Sequence, residues 1–166
     1  YSGSGSISSQ VHSSPSSSLT SPGYLDLPRH VLRLVHLAAA LATVFFPEGA
    51  DLSRAERARQ FVSLFPGTLV YKGARTIVTA KGEDLHYNVT GNPGMATGGQ
   101  GDVLSGLLGA LLAGGLRPLD AARAAVWLAG RSAELALTGG EAPESLVAGD
   151  TAVFLGGAFS ALRRGW

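Results

Sequence analysis

Asn88-Val89-Thr90-Gly91-Asn92-Pro93-Gly94-Met95-Ala96-Thr97-Gly98-Gly99-Gln100-Gly101-Asp102 runs directly into an apolar, small-residue segment that begins at Val103. Six of these fifteen residues are glycine or proline, more backbone permissiveness than a tight turn requires. A glycine-rich loop feeding a helix leaves the first N–H groups unpaired and aims the positive end of the helix dipole outward. That arrangement holds anions, phosphates above all. Asp102 is the discordant residue, because a carboxylate would repel a phosphate; it points instead to work on a substrate proton. The bland alternative is an N-cap for the helix from Val103. The P-loop pattern is excluded, since no lysine followed by Ser or Thr comes after the last glycine. The dinucleotide pattern G-x-G-x-x-G fails as well, with Leu104 standing where its third glycine belongs. Loop and aspartate together read as a nucleotide-using active site.

Working outward, Ser53-Arg54-Ala55-Glu56 has capping-box spacing and opens a helix expected to reach Leu64, burying Phe61, Leu64 and Phe65. Pro66-Gly67 ends it. Thr68–Lys72 and Thr76–Ala80 are rich in β-branched and apolar residues, Lys81-Gly82-Glu83 makes a turn, and Leu85–Val89 alternates as a third strand. Beyond the loop, a helix over 103–113 is built from Leu, Gly and Ala and is expected to pack closely on both sides. A second helix is expected from Asp120 to Leu137, with Ala125, Leu128, Ala129 and Ser132 on one face. Trp127 within it is read as a core or oligomer contact rather than a base-stacking residue. A last helix is expected from Thr151 to Leu162, with Asp150 as its N-cap. This order suits one edge of a layered α/β sheet.

The N-terminal part differs. Eleven of residues 1–22 are serine, too little apolar surface to offset the entropy of ordering, so a disordered tail is expected. From Leu27 to Phe46 the chain reads as a helix with Pro28 in its first turn and Pro47 after its end. Its unbroken apolar run, Leu37 to Phe46, is too short to span a bilayer. The whole chain of 166 residues is 45% hydrophobic, enough for one domain with a real core. A formal charge of +1 with scattered basic residues gives no footprint for nucleic acid. With no cysteine, disulfides and thiolate metal sites are excluded.

Residues 88–106, ending Asp102-Val103-Leu104-Ser105-Gly106, resemble the signature of the ADP/ATP-dependent NAD(P)H-hydrate dehydratases of the ribokinase-like superfamily. Val70-Tyr71-Lys72-Gly73-Ala74-Arg75-Thr76-Ile77-Val78 resembles that family's Lys-Gly-Ala-x-Thr segment, and Val147-Ala148-Gly149-Asp150 its closing segment. The resemblance covers residues 60–162. The family's longer N-terminal half, with a Pro-His-x-Gly-Glu segment, has no counterpart here, and none of His12, His30, His36 or His86 is carried over. The resemblance therefore implies a layered α/β/α ribokinase-like fold over 23–166 that lacks much of the N-terminal half.

The same resemblance implies a chemistry. The substrate is NADH or NADPH hydrate, ADP or ATP is consumed, the substrate hydroxyl is phosphorylated and phosphate then leaves. Asp102 would be the catalytic base and contact substrate, with Asn92 on the substrate side of the loop. An Asn-Pro turn explains Asn92 almost as well. The N–H groups of Gly98, Gly99 and Gly101 would hold the transferring phosphoryl group, and Lys72, Gly73, Ala74, Arg75 and Thr76 would contact the nucleotide. Lys72 is equally explained as a surface lysine ending a strand. Mg²⁺ would lean on phosphate and water oxygens, since no acidic cluster is visible. A homo-oligomer is implied by the family, and a cytoplasmic location is the default. A small-molecule kinase of the same superfamily, or a non-catalytic nucleotide-binding or oligomerisation module, are the alternatives.

Overall fold

A computed structural model of the chain describes residues 52–165. The serine-rich segment 1–22 and the helix expected over 27–46 lie outside the described residues.

The first helix, α1 (Arg54–Leu64), opens on a reciprocal capping box. Glu56 N–H donates to Ser53 Oγ at 3.2 Å, and Ser53 N–H donates to Glu56 Oε2 at 2.7 Å. Ala58, Phe61, Val62 and Phe65 recur at i, i+3, i+4 and i+7, so they share one face. That face packs on the sheet. Leu64 falls off it and is 60% exposed, against the expectation that it is buried.

Strands β1 (Thr68–Tyr71), β2 (Ile77–Ala80) and β3 (His86–Tyr87) form an antiparallel sheet in chain order. Leu69 lies opposite Thr79 and Val70 opposite Val78, and the pleat sends neighbouring side chains to opposite faces. Leu69 and Ile77 join the α1 cluster, whereas Val70 and Val78 join the cluster beneath α3 (Pro118–Thr138). A helix thus covers each face of the sheet. The strands are shorter than expected at both ends of the β1–β2 turn and at β3. Thr76 Oγ1 folds back to donate to Gly73 O at 3.1 Å, and β2 starts only at Ile77. Asn88 turns inward, its Nδ2 donating to Thr90 O at 3.0 Å and Val126 O at 3.2 Å, which ends β3.

Helix α2 (Gln100–Ala113) begins three residues before Val103. It buries Leu107 and Leu108 and packs on α3. Among the described residues Gly106 and Ala110 stay exposed, so the expected two-sided packing is one-sided. Ala125, Leu128, Ala129 and Ser132 of α3 are buried as expected. Trp127 packs, half-buried, against the same cluster. The expected last helix is two, α4 (Ala148–Val153) and α5 (Leu155–Arg164), meeting at Phe154. Asp150 lies inside α4 rather than ahead of it, and its carboxylate accepts the Val147 N–H at 2.8 Å. Among the described residues, no helix is long and apolar enough to cross a membrane.

Two expectations about stability follow from this packing. A Cβ on Gly130 of α3 would stand 2.6 Å from the Thr90 carbonyl carbon and 2.7 Å from its oxygen. Gly130→Ala is expected to destabilise the fold by about 2 kcal/mol, because backbone must shift to admit the methyl; urea unfolding with an unchanged midpoint would refute this. At α1, the hydrogen bonds from the Ser53 hydroxyl and then the Ser53 N–H hold the Glu56 carboxyl below its ordinary 4.5. A carboxyl with a depressed folded pKa stabilises above the ordinary value and loses that contribution as pH falls through the folded one. The stability gap between wild type and Glu56→Ala should therefore be present at neutral pH and shrink below pH 4.5; thermal unfolding at the two pH values reads it.

Candidate active site

The turn after β1 is built around a side chain from α1. Arg54 Nη2 donates to the carbonyls of Tyr71 at 3.1 Å and Lys72 at 3.0 Å, while Nη1 donates to Ala74 O. The guanidinium also stacks over the Tyr71 ring, 4.8 Å from its centroid. Gly73 lies against the guanidinium, with Arg54 Nη2 only 3.0 Å from where a Cβ would be. Arg75 takes a left-handed φ of 53°, so Lys72 to Arg75 are turned outward and exposed.

The ammonium of Lys72 reaches the second block. Its Nζ lies 3.1 Å from the position a Cβ would occupy on Gly101, in the first turn of α2. Gly99 precedes that turn with φ +86°, a conformation only glycine adopts without strain. A Cβ there would also come within 2.9 Å of Ala148 Cβ at the start of α4. No side chain caps α2. Asp102 N–H and Val103 N–H both go to Gly99 O, and among the described residues no hydrogen bond engages the N–H groups of Gly98, Gly99, Gln100 or Gly101. The Lys72 ammonium thus stands beside an uncapped helix N-terminus that also carries Asp102 in its first turn. Unpaired N–H groups at a helix N-terminus beside an ammonium are a chemistry that complements an oxyanion. A Cβ on Gly98 would meet nothing within 4 Å among the described residues, which leaves room for a ligand against the backbone.

Asp102 occupies the position after Gly101, exposed, inside α2 rather than as its N-cap. No ion pair or hydrogen bond engages its carboxylate among the described residues. The cap reading therefore fails, and the carboxylate stands free for another proton or donor. Asn92 sits apart from this group. Its Oδ1 accepts the Gly94 N–H at 2.9 Å and caps the short turn Pro93–Met95, while its Nδ2 is buried with no hydrogen-bond partner. The Asn-Pro turn is real, and Asn92 shapes it from within the protein. Thr76 is spent on the turn, Ala74 offers its carbonyl to Arg54, and Arg75 is exposed. Among the described residues no group of three His, Cys, Asp or Glu side chains could hold a metal ion.

The loop's two ends are fixed by bonds to α3 and α4. Thr90 Oγ1 bonds with Asn88 Oδ1 at 3.1 Å and Trp127 O at 2.9 Å. Glu134 of α3 accepts the Gly91 N–H at 2.8 Å and pairs with Arg131 at 2.9 Å. Gln100 Nε2 reaches Thr151 Oγ1 at 3.1 Å, joining α2 to α4. Arg54, which braces the other block, carries a sequence signal of its own, a cation in the first turn of a helix where the dipole disfavours it.

The layered α/β scaffold with a glycine loop at a helix N-terminus places the chain with the ribokinase-like dehydratase fold of its solved neighbours. The solved ADP/ATP-dependent NAD(P)H-hydrate dehydratase from Bacillus subtilis, co-crystallised with ATP/Mg²⁺, superposes with a TM-score of 0.61 at 31% identity, over 66% of this chain and 39% of that one. The sequence profile of the NAD(P)H-hydrate dehydratase family matches residues 31–146, and the chain belongs to that family. The ADP-dependent (S)-NAD(P)H-hydrate dehydratase of Neisseria meningitidis is 37% identical over 115 residues, 69% of this chain and 38% of the relative. The bifunctional NAD(P)H-hydrate repair enzyme of Escherichia coli is 45% identical over 85 residues, 51% of this chain and 16% of the relative. The chain thus spans well under half the length of the relatives it matches.

Glu134 gives this site a direct test. Glu134→Ala strands the Gly91 N–H and is expected to cost about 1–3 kcal/mol, whereas Glu134→Gln keeps an acceptor and most of the stability. Equal losses in the two variants by urea unfolding would remove Gly91 as the reason.

Proposed function

We propose that this chain carries the nucleotide-holding and proton-accepting part of an NAD(P)H-hydrate dehydratase that uses ADP or ATP. The observation that carries the reading is the Lys72 ammonium over Gly101, at an uncapped helix end whose next residue is Asp102. Lys72 and the N–H groups of Gly98, Gly99 and Gly101 bind the terminal phosphoryl group of the nucleotide and stabilise the charge it carries during transfer. Asp102 accepts the proton of the hydrate's hydroxyl as its oxygen forms the new P–O bond and the nucleotide leaves. The carbon–oxygen bond then breaks, phosphate departs with the bonding pair, a neighbouring proton is lost, and the ring double bond of NADH or NADPH returns. Asn92 shapes the substrate side of the loop through its bond to the Gly94 N–H. Mg²⁺, held through phosphate and water oxygens, neutralises charge on the nucleotide.

The partners in this reading are the hydrate and the nucleotide, met in the cytoplasm, with neither nucleic acid nor membrane involved. A homo-oligomer belongs to it too: Val89 and Val153, each 78% exposed, are apolar side chains that such an assembly would cover.

The test is recovery of NADH absorbance from NADH hydrate with ADP or ATP, using the full chain and Asp102→Asn. Nucleotide-dependent recovery is expected, with the variant at least about 100-fold slower, the scale of a lost general base. Equal rates would remove Asp102 from the role. Nucleotide binding without any recovery in the folded wild-type chain would assign it as a nucleotide-binding module instead.

A further inference from the structure

We infer that Arg54 is a positioning residue for nucleotide binding, setting the Lys72 ammonium over the N-terminus of α2. The inference deepens the proposed function and rests on it for the ligand, though not for the geometry. The guanidinium gathers three consecutive-turn carbonyls, those of Tyr71, Lys72 and Ala74, and stacks on Tyr71. A planar fork with donors in fixed directions holds several acceptors at once, which a lysine ammonium does less well. Those carbonyls bracket Lys72, so the direction in which the Lys72 side chain leaves the backbone follows from them. The result is Lys72 Nζ beside Gly101, 3.1 Å from its virtual Cβ.

That placement is not secured by an ion pair. The N-terminus of α2 repels an ammonium while Asp102 in the same turn attracts it, and no ion pair holds Lys72 among the described residues. Without a brace, the flexible lysine stem would swing toward solvent. Arg54 itself sits at the first position of α1, where the dipole also disfavours a cation. Its gain comes from the carbonyls it binds. Two cations are thus held near two helix N-termini by the carbonyls that Arg54 gathers, and the sum is a preorganised site for a phosphate oxyanion. Arg54 touches no ligand in this account; it acts through Lys72.

The experiment has two readings on the full chain. The first needs no nucleotide: an NMR nuclear Overhauser contact between the Lys72 ε-methylene and Gly101 α protons. It is expected in wild type and lost in Arg54→Met, which keeps the stem and removes the donors, while the core amide resonances stay in place. The second is a double-mutant cycle on ADP affinity by titration calorimetry. Arg54→Met is expected to weaken ADP about tenfold, the scale of one charge-assisted phosphate contact, and to add little once Lys72→Ala is present. A contact that survives in Arg54→Met, or an affinity loss identical in both Lys72 backgrounds, overturns the inference. A wild-type chain that binds no ADP but shows the Arg54-dependent contact sinks the proposed ligand and keeps the positioning role. Should Arg54→Met fail to fold, Arg54→Lys takes its place with the same readings.

Discussion

The contact on which the site's geometry depends is the seat of Thr90 against Gly130. The Thr90 backbone lies where any side chain on that turn of α3 would stand, and its hydroxyl bonds to the carbonyl of Trp127. Asn88 ties the same stretch to Val126 O. These bonds use helix carbonyls that already serve the helix, so the loop is bound to α3 without breaking it. Because the end of β3 is pinned there, the glycine-rich loop leaves the sheet in one direction only. Glu134 then fixes Gly91, and the turn at Pro93–Met95 and Gly99 deliver the chain to α2.

From that anchor the two functional blocks approach from opposite sides. The β1–β2 turn is carried by the sheet and braced by α1; the glycine loop is carried by α3 and closed by α4 against Gly99. Their meeting at Lys72 and Gly101 is a property of the layered packing, since 29 sequence positions separate the two residues. The positive charge so assembled is backbone and lysine, with Asp102 the negative group beside it. That separation of roles suits phosphoryl transfer, where positioning and charge stabilisation carry most of the catalysis.

Much of this was legible in the sequence. The capping box at Ser53, the three strands, the helix through Ala125 and Leu128, and the glycine loop with its aspartate all follow from local pattern, and each is found. What pattern missed is tertiary. Leu64 was expected inside because it is apolar, yet helical geometry alone places it off the face shared by Phe61 and Phe65. Val103 was expected to open α2, but an uncapped glycine start needs no polar residue, so the helix reaches back to Gln100. Asp150 has the chemistry of an N-cap and performs that service from within the helix. Thr90, Glu134 and Gln100 could not be found at all, since their partners lie in other elements and no short-range rule relates them.

The two halves of the site close chain loops of different length. Arg54 bonds to carbonyls 17, 18 and 20 positions away, whereas the glycine loop is secured by bonds spanning 37, 38 and 43. Each doubling of a closed loop adds only about 0.6 kcal/mol of entropy cost, so the difference is small in the folded state. It is larger in the order of assembly, because short loops close first and long ones wait for α3 to be in place. The Lys72 turn is a local unit that forms with α1 and the sheet; the glycine loop takes its final place only when the helical layer docks. Any partly folded form of this chain therefore presents the lysine before it presents the pocket.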